Sequence, residues 1–183
     1  MLIEKAIGEP YWDFLEHRIF RRTEMKATRI SDPKTIIPNR ARGYGISDGK
    51  HVNREPVTAS AAFSHGALIS SVLDMVNWNA ALNSEVVLKT EILEQMWTPV
   101  WLNDGTAYDY GFGWYIRTLP GHRIVAHGGG LLGFSTFIWR FIDDKLAVIA
   151  LSNCGTADTG RIALGVVGFY VPTLLSPEIK NQR

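Results

Sequence analysis

Residues 125–134 read VAHGGGLLGF, and this stretch decides how the rest of the chain is interpreted. His127 is followed directly by Gly128, Gly129 and Gly130. The next residues, FSTFIWRF at 134–141, are rich in aromatic and β-branched side chains, which favour a β-strand. The glycines are therefore expected beside strands, where a backbone without side chains lets another backbone approach closely.

Strand patterns lie on both sides of this stretch. In YGFGWYIRTL, at 110–119, Phe112, Trp114 and Ile116 alternate with other residues and predict a strand. HRIVAH at 122–127 predicts a second strand, and STFIWRFIDDKLAVIALSN at 135–153 predicts two more segments joined at Asp143-Asp144. We expect an antiparallel meander with three main strands.

Helix patterns surround the meander. TGRIALGVVGFYVPTLL, at 159–175, predicts a C-terminal helix that is interrupted by its glycines and packs on the sheet. ISSVLDMVNWNAALN, at 69–83, predicts a helix capped by Ser71, with Asp74 three residues later. Its apolar face comprises Leu73, Val76 and Ala80.

Shorter patterns complete the first hundred residues. Two helical pieces separated by Gly8 and Pro10 are predicted at the start, and another is predicted at KTEILEQMWTP, 89–99. Asp48-Gly49 predicts a type I′ hairpin. The fold class is therefore α+β, with a mainly helical and loop part at 1–100, and the meander and C-terminal helix at 101–183.

Composition excludes several classes of function. The 183 residues carry a formal net charge of +1 without a basic run, which argues against nucleic acid as a partner. Cys154 is the single cysteine, so the sequence offers no internal disulfide and no metal cluster. No apolar run reaches the length of a membrane span, and we expect no cofactor. The N-terminal residues do not resemble a signal peptide, so the compartment stays open.

Two motif interpretations of the glycine stretch fail on their context. Gly128, Gly130 and Gly133 match G-x-G-x-x-G, but a dinucleotide site needs a helix directly afterwards, and a strand is predicted there. The HGGG oxyanion loop of α/β-hydrolase esterases needs a downstream G-x-S-x-G turn. GFSTF, around Ser135, lacks the second glycine.

A third interpretation fits the order of the motifs along the chain. His127-Gly128-Gly129 on a strand matches the H-x-G form of a third active-site motif, and NRARGY, GALISSVLDMVNW, MWTP and YGFGW precede it in the expected order. The chain resembles the serine β-lactamase and penicillin-binding-protein superfamily. It is most similar to the class C-like branch, which includes D-alanyl-D-alanine peptidases and family VIII esterases.

The resemblance implies roles for individual residues. The Gly130 amide is expected to be an oxyanion donor, and His127 a polar donor beside the substrate; the alternative for His127 is a strand-end histidine bonded to solvent or backbone. Gly128 and Gly129 are expected to let the substrate backbone approach. Loop residues expected to line a substrate cleft are Trp101 and Tyr108.

The nucleophile of that superfamily is absent from the pattern. Its S-x-x-K motif opens a helix, whereas the string from Ser31 to Lys34 contains Pro33 among turn-forming residues. No tyrosine is followed two residues later by asparagine, so Y-x-N is absent too. We therefore expect the C-terminal portion of a β-lactamase-like fold, incomplete and inactive alone, from a hydrolase of a β-lactam, D-alanyl peptide or small ester. The alternative is a non-catalytic partner-binding or regulatory remnant that another chain completes.

The strand around Val148 suggests a partner. KLAVIALSN is almost continuously apolar, which is typical of a strand that is paired on both edges and covered on both faces. An N-terminal half, or a second copy, is expected to pair with it. The resemblance also implies a small-molecule or peptidoglycan-peptide substrate, and relatives are often periplasmic or secreted.

Overall fold

A computed structural model describes residues 2–56, 59–119 and 121–175. The chain forms two compact units that alternate along the sequence. The first comprises Met1–Asn39 and Pro56–Glu94, and the second comprises Arg40–Glu55 and Gln95–Arg183.

The secondary structure combines helices with antiparallel strands. In chain order, the helices are α1 Leu2–Ile7, α2 Tyr11–Leu15 (continued by a π-helix at Glu16–Phe20), α3 Ala59–Gly66, α4 Val72–Ala81, α5 Thr90–Met96 and α6 Thr159–Tyr170, with a 3-10 turn at Pro172–Leu175. The strands are β1 Arg29–Ile30, β2 Tyr44–Ser47, β3 Lys50–Asn53, β4 Leu68–Ile69, β5 Val100–Trp101, β6 Ala107–Tyr108, β7 Tyr115–Leu119, β8 His122–Leu131, β9 Phe134–Phe141 and β10 Leu146–Ser152.

A buried carboxylate organises the first unit around α4. The Ser71 hydroxyl accepts a hydrogen bond from the Asp74 amide, as the predicted cap requires. The Asp74 carboxylate accepts from the amides of Ala27 and Thr28 at 2.8 and 2.7 Å, and from the Thr28 hydroxyl at 2.7 Å. Asp74 therefore joins α4 to the segment that leads into β1, and β1 pairs with β4.

The apolar face of α4 lies on the exposed side of the helix. Leu73 is 73% exposed and Val76 is 52% exposed, whereas Asp74 and Ala81 are buried. The periodicity located the helix correctly, but the three hydrogen bonds to Asp74 set its rotation and turn the apolar face outward. Helix α3 was not predicted, because its sequence lies within a stretch rich in turn-forming residues.

The predicted turns are confirmed. Gly8 follows α1 with a φ of +79°, in the left-handed region that glycine adopts without strain. Asp48 and Gly49 join β2 to β3 with φ values of 51° and 73°, and two successive positive φ values are the type I′ pattern.

The second unit is built on one antiparallel sheet with the order β10-β9-β8-β7. It has four strands rather than three, because the two segments joined at Asp143-Asp144 both form full strands. Helix α6 packs on β9 and β10 and runs without interruption through Gly165 and Gly168. The core between helix and sheet contains Ile124, Ala126, Trp139, Phe141, Ala163 and Val167.

The aromatic landmarks before the sheet pack around a buried arginine of β9. The Arg140 guanidinium lies 5.1 Å from the centre of the Trp97 ring and 5.9 Å from that of Trp114, and burial lowers its pKa to about 10. Strand β7 begins only at Tyr115, because Phe112 lies in a turn with Gly113 at a φ of 79°. The MWTP and YGFGW motifs therefore have a packing role in this unit.

Candidate active site

Strand β8 has different neighbours along its length. It pairs with β9 from Ile124 to Leu131, but with β7 only from His122 to Ala126. Within the described residues, the segment from His127 to Leu131 thus has a paired strand on the β9 side and none on the other. That side presents main-chain groups to which an extended ligand can hydrogen-bond.

Two tyrosines surround His127, the first residue of the open segment. The Tyr110 hydroxyl and His127 Nε2 share a hydrogen bond of 3.0 Å. The Tyr115 ring stacks on the imidazole with an interplanar angle of 22° and 5.4 Å between centroids. Tyr110 and Tyr115 also meet edge to face. His127 is half-buried and held in one orientation by these contacts.

Tyr110 and Tyr115 were not predicted from the sequence as site residues. The tight turn between them, with Gly111 and Gly113, brings Tyr110 back beside Tyr115, and the two residues form an isolated antiparallel bridge. Tyr115 is paired with Ala126, the residue before His127. The sequence pattern that indicates this contact is Y-G-x-G-x-Y. In it, a glycine turn separates two aromatic residues, which then become cross-strand neighbours.

The three glycines after His127 have different surroundings. A Cβ atom on Gly128 would lie 2.9 Å from the Phe137 ring, and one on Gly129 would lie 2.9 Å from the Thr136 hydroxyl oxygen. At Gly130 the nearest atom, the Phe134 carbonyl oxygen, is 3.8 Å from an added Cβ. Packing within the chain therefore explains the glycine at 128, whereas the space at 130 is open.

The turn that follows is fixed by a second group of glycines. Gly133 has a φ of +90°, and an added Cβ would lie 2.6 Å from the backbone of Gly43 and Tyr44. The Tyr44 amide donates to the carbonyls of Gly133 and Asn153, at 3.2 and 2.9 Å. The NRARGY landmark thus holds the β8–β9 turn, three residues from Gly130, against the end of β10.

The remaining predicted site residues lie on a separate ladder. Trp101 and Tyr108 belong to the β5–β6 pair and are 73% and 56% exposed. The Val100 amide donates to the Tyr110 carbonyl at 3.1 Å, which links this ladder to the residue that bonds His127. The proposed cleft role of Trp101 and Tyr108 stays a prediction.

The S-x-x-K string at Ser31 is a turn, as expected, and the second such string, Ser47 to Lys50, spans the hairpin turn between β2 and β3. Ser31 is buried after β1, and its amide donates to the Ala67 carbonyl at 2.7 Å. The Asp32 carboxylate accepts from the Lys34 amide at 2.9 Å and from the Thr35 hydroxyl at 2.6 Å, a local turn rather than the start of a helix. Ser135, after the glycines, bonds the Thr159 hydroxyl at 2.8 Å.

The described part of the chain contains neither a cluster of metal ligands nor a membrane-spanning helix. Among residues 2–56, 59–119 and 121–175, no group of three or more histidine, cysteine and acidic residues is arranged to hold a metal ion. None of the helices described there is both long and apolar enough to cross a membrane.

Comparison with known sequences identifies relatives of the chain. The sequence model of the Beta-lactamase family matches residues 1–166. Penicillin-binding protein 4* of Bacillus subtilis (strain 168) is 32% identical over 167 residues, which cover 84% of this chain and 37% of that protein. A D-aminopeptidase of Brucella anthropi is 31% identical over 174 residues, covering 90% of this chain and 32% of the relative.

Solved structures agree with the fold. The octameric penicillin-binding protein homologue from Pyrococcus abyssi superposes with a TM-score of 0.78 at 24% identity, over 93% of this chain and 40% of that one. D-amino acid amidase from Ochrobactrum anthropi SV3 superposes with a TM-score of 0.66 at 26% identity, over 96% of this chain and 54% of the other. The chain spans about a third of the length of the two curated relatives, at 37% and 32%.

Proposed function

Since this chain belongs to the β-lactamase family, a family of serine hydrolases, we propose that its strand β8, which carries the H-x-G motif, forms one wall of an active site. This site hydrolyses an amide or ester through an acyl-enzyme. The observation that carries the proposal is the open side of β8 from His127 to Leu131. A substrate backbone lies along this edge, and its scissile carbonyl faces the Gly130 amide.

The chemistry assigned to this wall is electrostatic. As the nucleophile attacks, the carbonyl oxygen gains negative charge, and the Gly130 N–H donates a hydrogen bond to it. Loss of one such donor typically raises the barrier by about 3 to 4 kcal/mol. The open space beside Gly130 supports this role, because a ligand backbone needs the volume that a side chain would fill.

The substrate class is an amide with a D-configured acyl group. Two relatives with substantial identity are named D-aminopeptidase and D-amino acid amidase, and both names describe cleavage of amides of D-amino acids. β-Lactams and small esters carry the same reactive carbonyl and are expected as alternative substrates or acylating agents.

The nucleophile is supplied by polypeptide outside this chain. The strand expected to receive that polypeptide, β10, pairs with β9 on one edge and lies at the border of the described sheet. Next to it, α6 exposes an apolar row of Ile162, Val166 and Phe169. We assign this surface to an N-terminal half that adds a strand to β10; self-association through the same edge is the competing arrangement.

A chimaera tests the proposal. The part of Bacillus subtilis penicillin-binding protein 4* that precedes the matched segment is joined to residue 1 of this chain, and labelling by fluorescent penicillin and hydrolysis of D-alanine p-nitroanilide are measured. We expect stoichiometric labelling of a serine in the added part, and none in this chain alone. Replacement of that serine by alanine is the control. Labelling of Ser31, or a folded chimaera without labelling, contradicts the proposal.

Light scattering after size-exclusion chromatography tests the β10 surface. The molar mass of this chain alone is expected to increase with concentration, because the chain self-associates. The molar mass of the chimaera is expected to stay constant, because a strand of its added part covers the β10 edge. A concentration-independent monomer of the chain alone shows that the edge needs no partner.

A further inference from the structure

We infer that Tyr110 is a positioning residue that holds neutral His127 with its proton on Nδ1, so that the histidine meets the substrate as a hydrogen-bond donor and not as a base. The inference rests on the proposed function of the β8 edge. It concerns a residue outside the H-x-G motif, 17 positions before His127 in the chain.

The geometry leaves one ring nitrogen available. His127 Nε2 is engaged by the Tyr110 hydroxyl at 3.0 Å. One face of the imidazole is covered by Tyr115, which lies nearly parallel to it. A substrate group that bonds the ring in its plane therefore meets the Nδ1 side.

The direction of the hydrogen bond follows from the two partners. A neutral imidazole has one N–H donor and one acceptor nitrogen, while a phenol can both donate and accept. The strongest pairing joins the best donor with the best acceptor, which are the phenolic O–H and the unprotonated imidazole nitrogen. Nε2 then accepts from Tyr110, and the proton resides on Nδ1 because the bond at one nitrogen sets the state of the other.

This arrangement determines what His127 recognises. A fixed Nδ1–H is complementary to an acceptor, such as a carbonyl or carboxylate oxygen of the substrate. The same arrangement excludes proton abstraction through Nε2, since its lone pair is already bonded to Tyr110. His127 therefore orients the substrate, and the proton transfers of the reaction belong to other groups.

Nitrogen NMR of the imidazole tests the inference on this chain itself. Two-bond ¹H–¹⁵N correlation spectra of the histidine-labelled protein are recorded at neutral pH and above, and His127→Gln identifies the signals of His127 among the five histidines. We expect two widely separated ¹⁵N resonances, with the protonated one at Nδ1. A wild-type spectrum with the proton on Nε2, or with an equal mixture of tautomers, overturns the inference whatever the variants do.

Two phenylalanine variants provide a matched comparison. Tyr110→Phe removes the hydroxyl that bonds Nε2, whereas Tyr115→Phe removes a hydroxyl and keeps the stacked ring. In Tyr110→Phe the two ¹⁵N resonances are expected to move towards each other as both tautomers become populated. Tyr115→Phe is expected to retain the wild-type pattern. An unchanged spectrum in Tyr110→Phe, or an equal change in both variants, contradicts the inference.

The measurement is independent of turnover. If the chimaera fails to acylate while the tautomer shift is observed, the proposed function fails and the positioning role of Tyr110 stands as a property of the fold. If the chimaera acylates and the tautomer is insensitive to Tyr110, only the positioning role is wrong.

Discussion

The two halves of strand β8 differ sharply although they are continuous. Ile124, Val125 and Ala126 are 3%, 2% and 1% exposed, with β7 on one side and β9 on the other. Gly129 and Gly130 are exposed, and β9 is their one strand neighbour among the described residues. The change occurs at His127.

This difference distinguishes residues of β8 that packing explains from residues that are candidates for ligand contact. In the first half, side chains are buried on both faces of the sheet. These residues are apolar because buried side chains must fill the space between packed elements. In the second half, Gly128 has no side chain because the Phe137 ring occupies the space that one would need. Among the described residues, no atom occupies the corresponding space beside Gly130. A position that packing leaves unexplained is the better candidate for ligand contact.

The largest effect on stability is expected in the first half. Ile124→Ala removes a buried side chain that packs with Trp139, Phe141 and α6, and truncations of this kind typically cost about 2 to 5 kcal/mol of unfolding free energy. Urea denaturation measures the loss. Leu131→Ala, at the half-buried end of the same strand, is the control and is expected to cost much less. Equal losses contradict the contrast between the halves.

His127→Ala is expected to act on catalysis and to leave the fold intact. In the unlabelled chimaera, loss of a polar contact to the substrate should lower kcat/KM by about 10- to 100-fold, equivalent to roughly 1.4 to 2.7 kcal/mol of transition-state stabilisation. Steady-state kinetics and urea denaturation are measured on the same preparation. A wild-type rate in the His127→Ala variant would show that His127 has a purely structural role.

The glycines 128 and 130 give the sharpest matched pair. Gly128→Ala forces a methyl group against the Phe137 ring, which also packs closely on Gly160 and so has little freedom to move; overpacking of this kind costs about 1 to 3 kcal/mol. Gly130→Ala has room for its methyl group, and its effect on stability is expected within about 0.5 kcal/mol. A larger loss for Gly130→Ala than for Gly128→Ala reverses this assignment.

The smallest expected effect concerns the start of β8 and its pH dependence. The Asp143 carboxylate accepts from the Arg123 amide at 2.8 Å and from its guanidinium at 3.0 Å, and these hydrogen bonds lower the pKa of Asp143. A lowered pKa in the folded state means that the stabilisation is complete above the unfolded pKa, and is lost as pH falls through the folded value. Asp143→Asn should therefore flatten the acid limb of stability slightly. Identical acid limbs in both proteins contradict this.

The sequence predicted the sheet well because its strands are long and locally encoded. The aromatic and β-branched composition of 134–141 and the apolar run at 146–151 are sufficient to place β9 and β10. His127 was proposed as a site residue from its motif, and that role stays a prediction. Tyr110 and Tyr115 were not, since their contact with His127 depends on a turn geometry that brings together residues on different strands.

The rotation of α4 shows what apolar periodicity in the sequence does not predict. Periodicity identifies an apolar face, but the partner of a helix is decided by specific contacts that periodicity does not contain. Here the Asp74 carboxylate binds the amides of Ala27 and Thr28, which lie 47 and 46 residues earlier in the chain. A polar residue thus sets the orientation of α4.

Hydrogen exchange along β8 tests the central claim most directly. Amides from Ile124 to Ala126 are expected to be protected, whereas alternate amides from His127 to Leu131, those that do not point to β9, should exchange quickly in the chimaera. After acylation by penicillin, the Gly130 amide should become protected. Uniform protection of β8 in the free protein, or no change at Gly130 after acylation, would contradict an open substrate-binding edge.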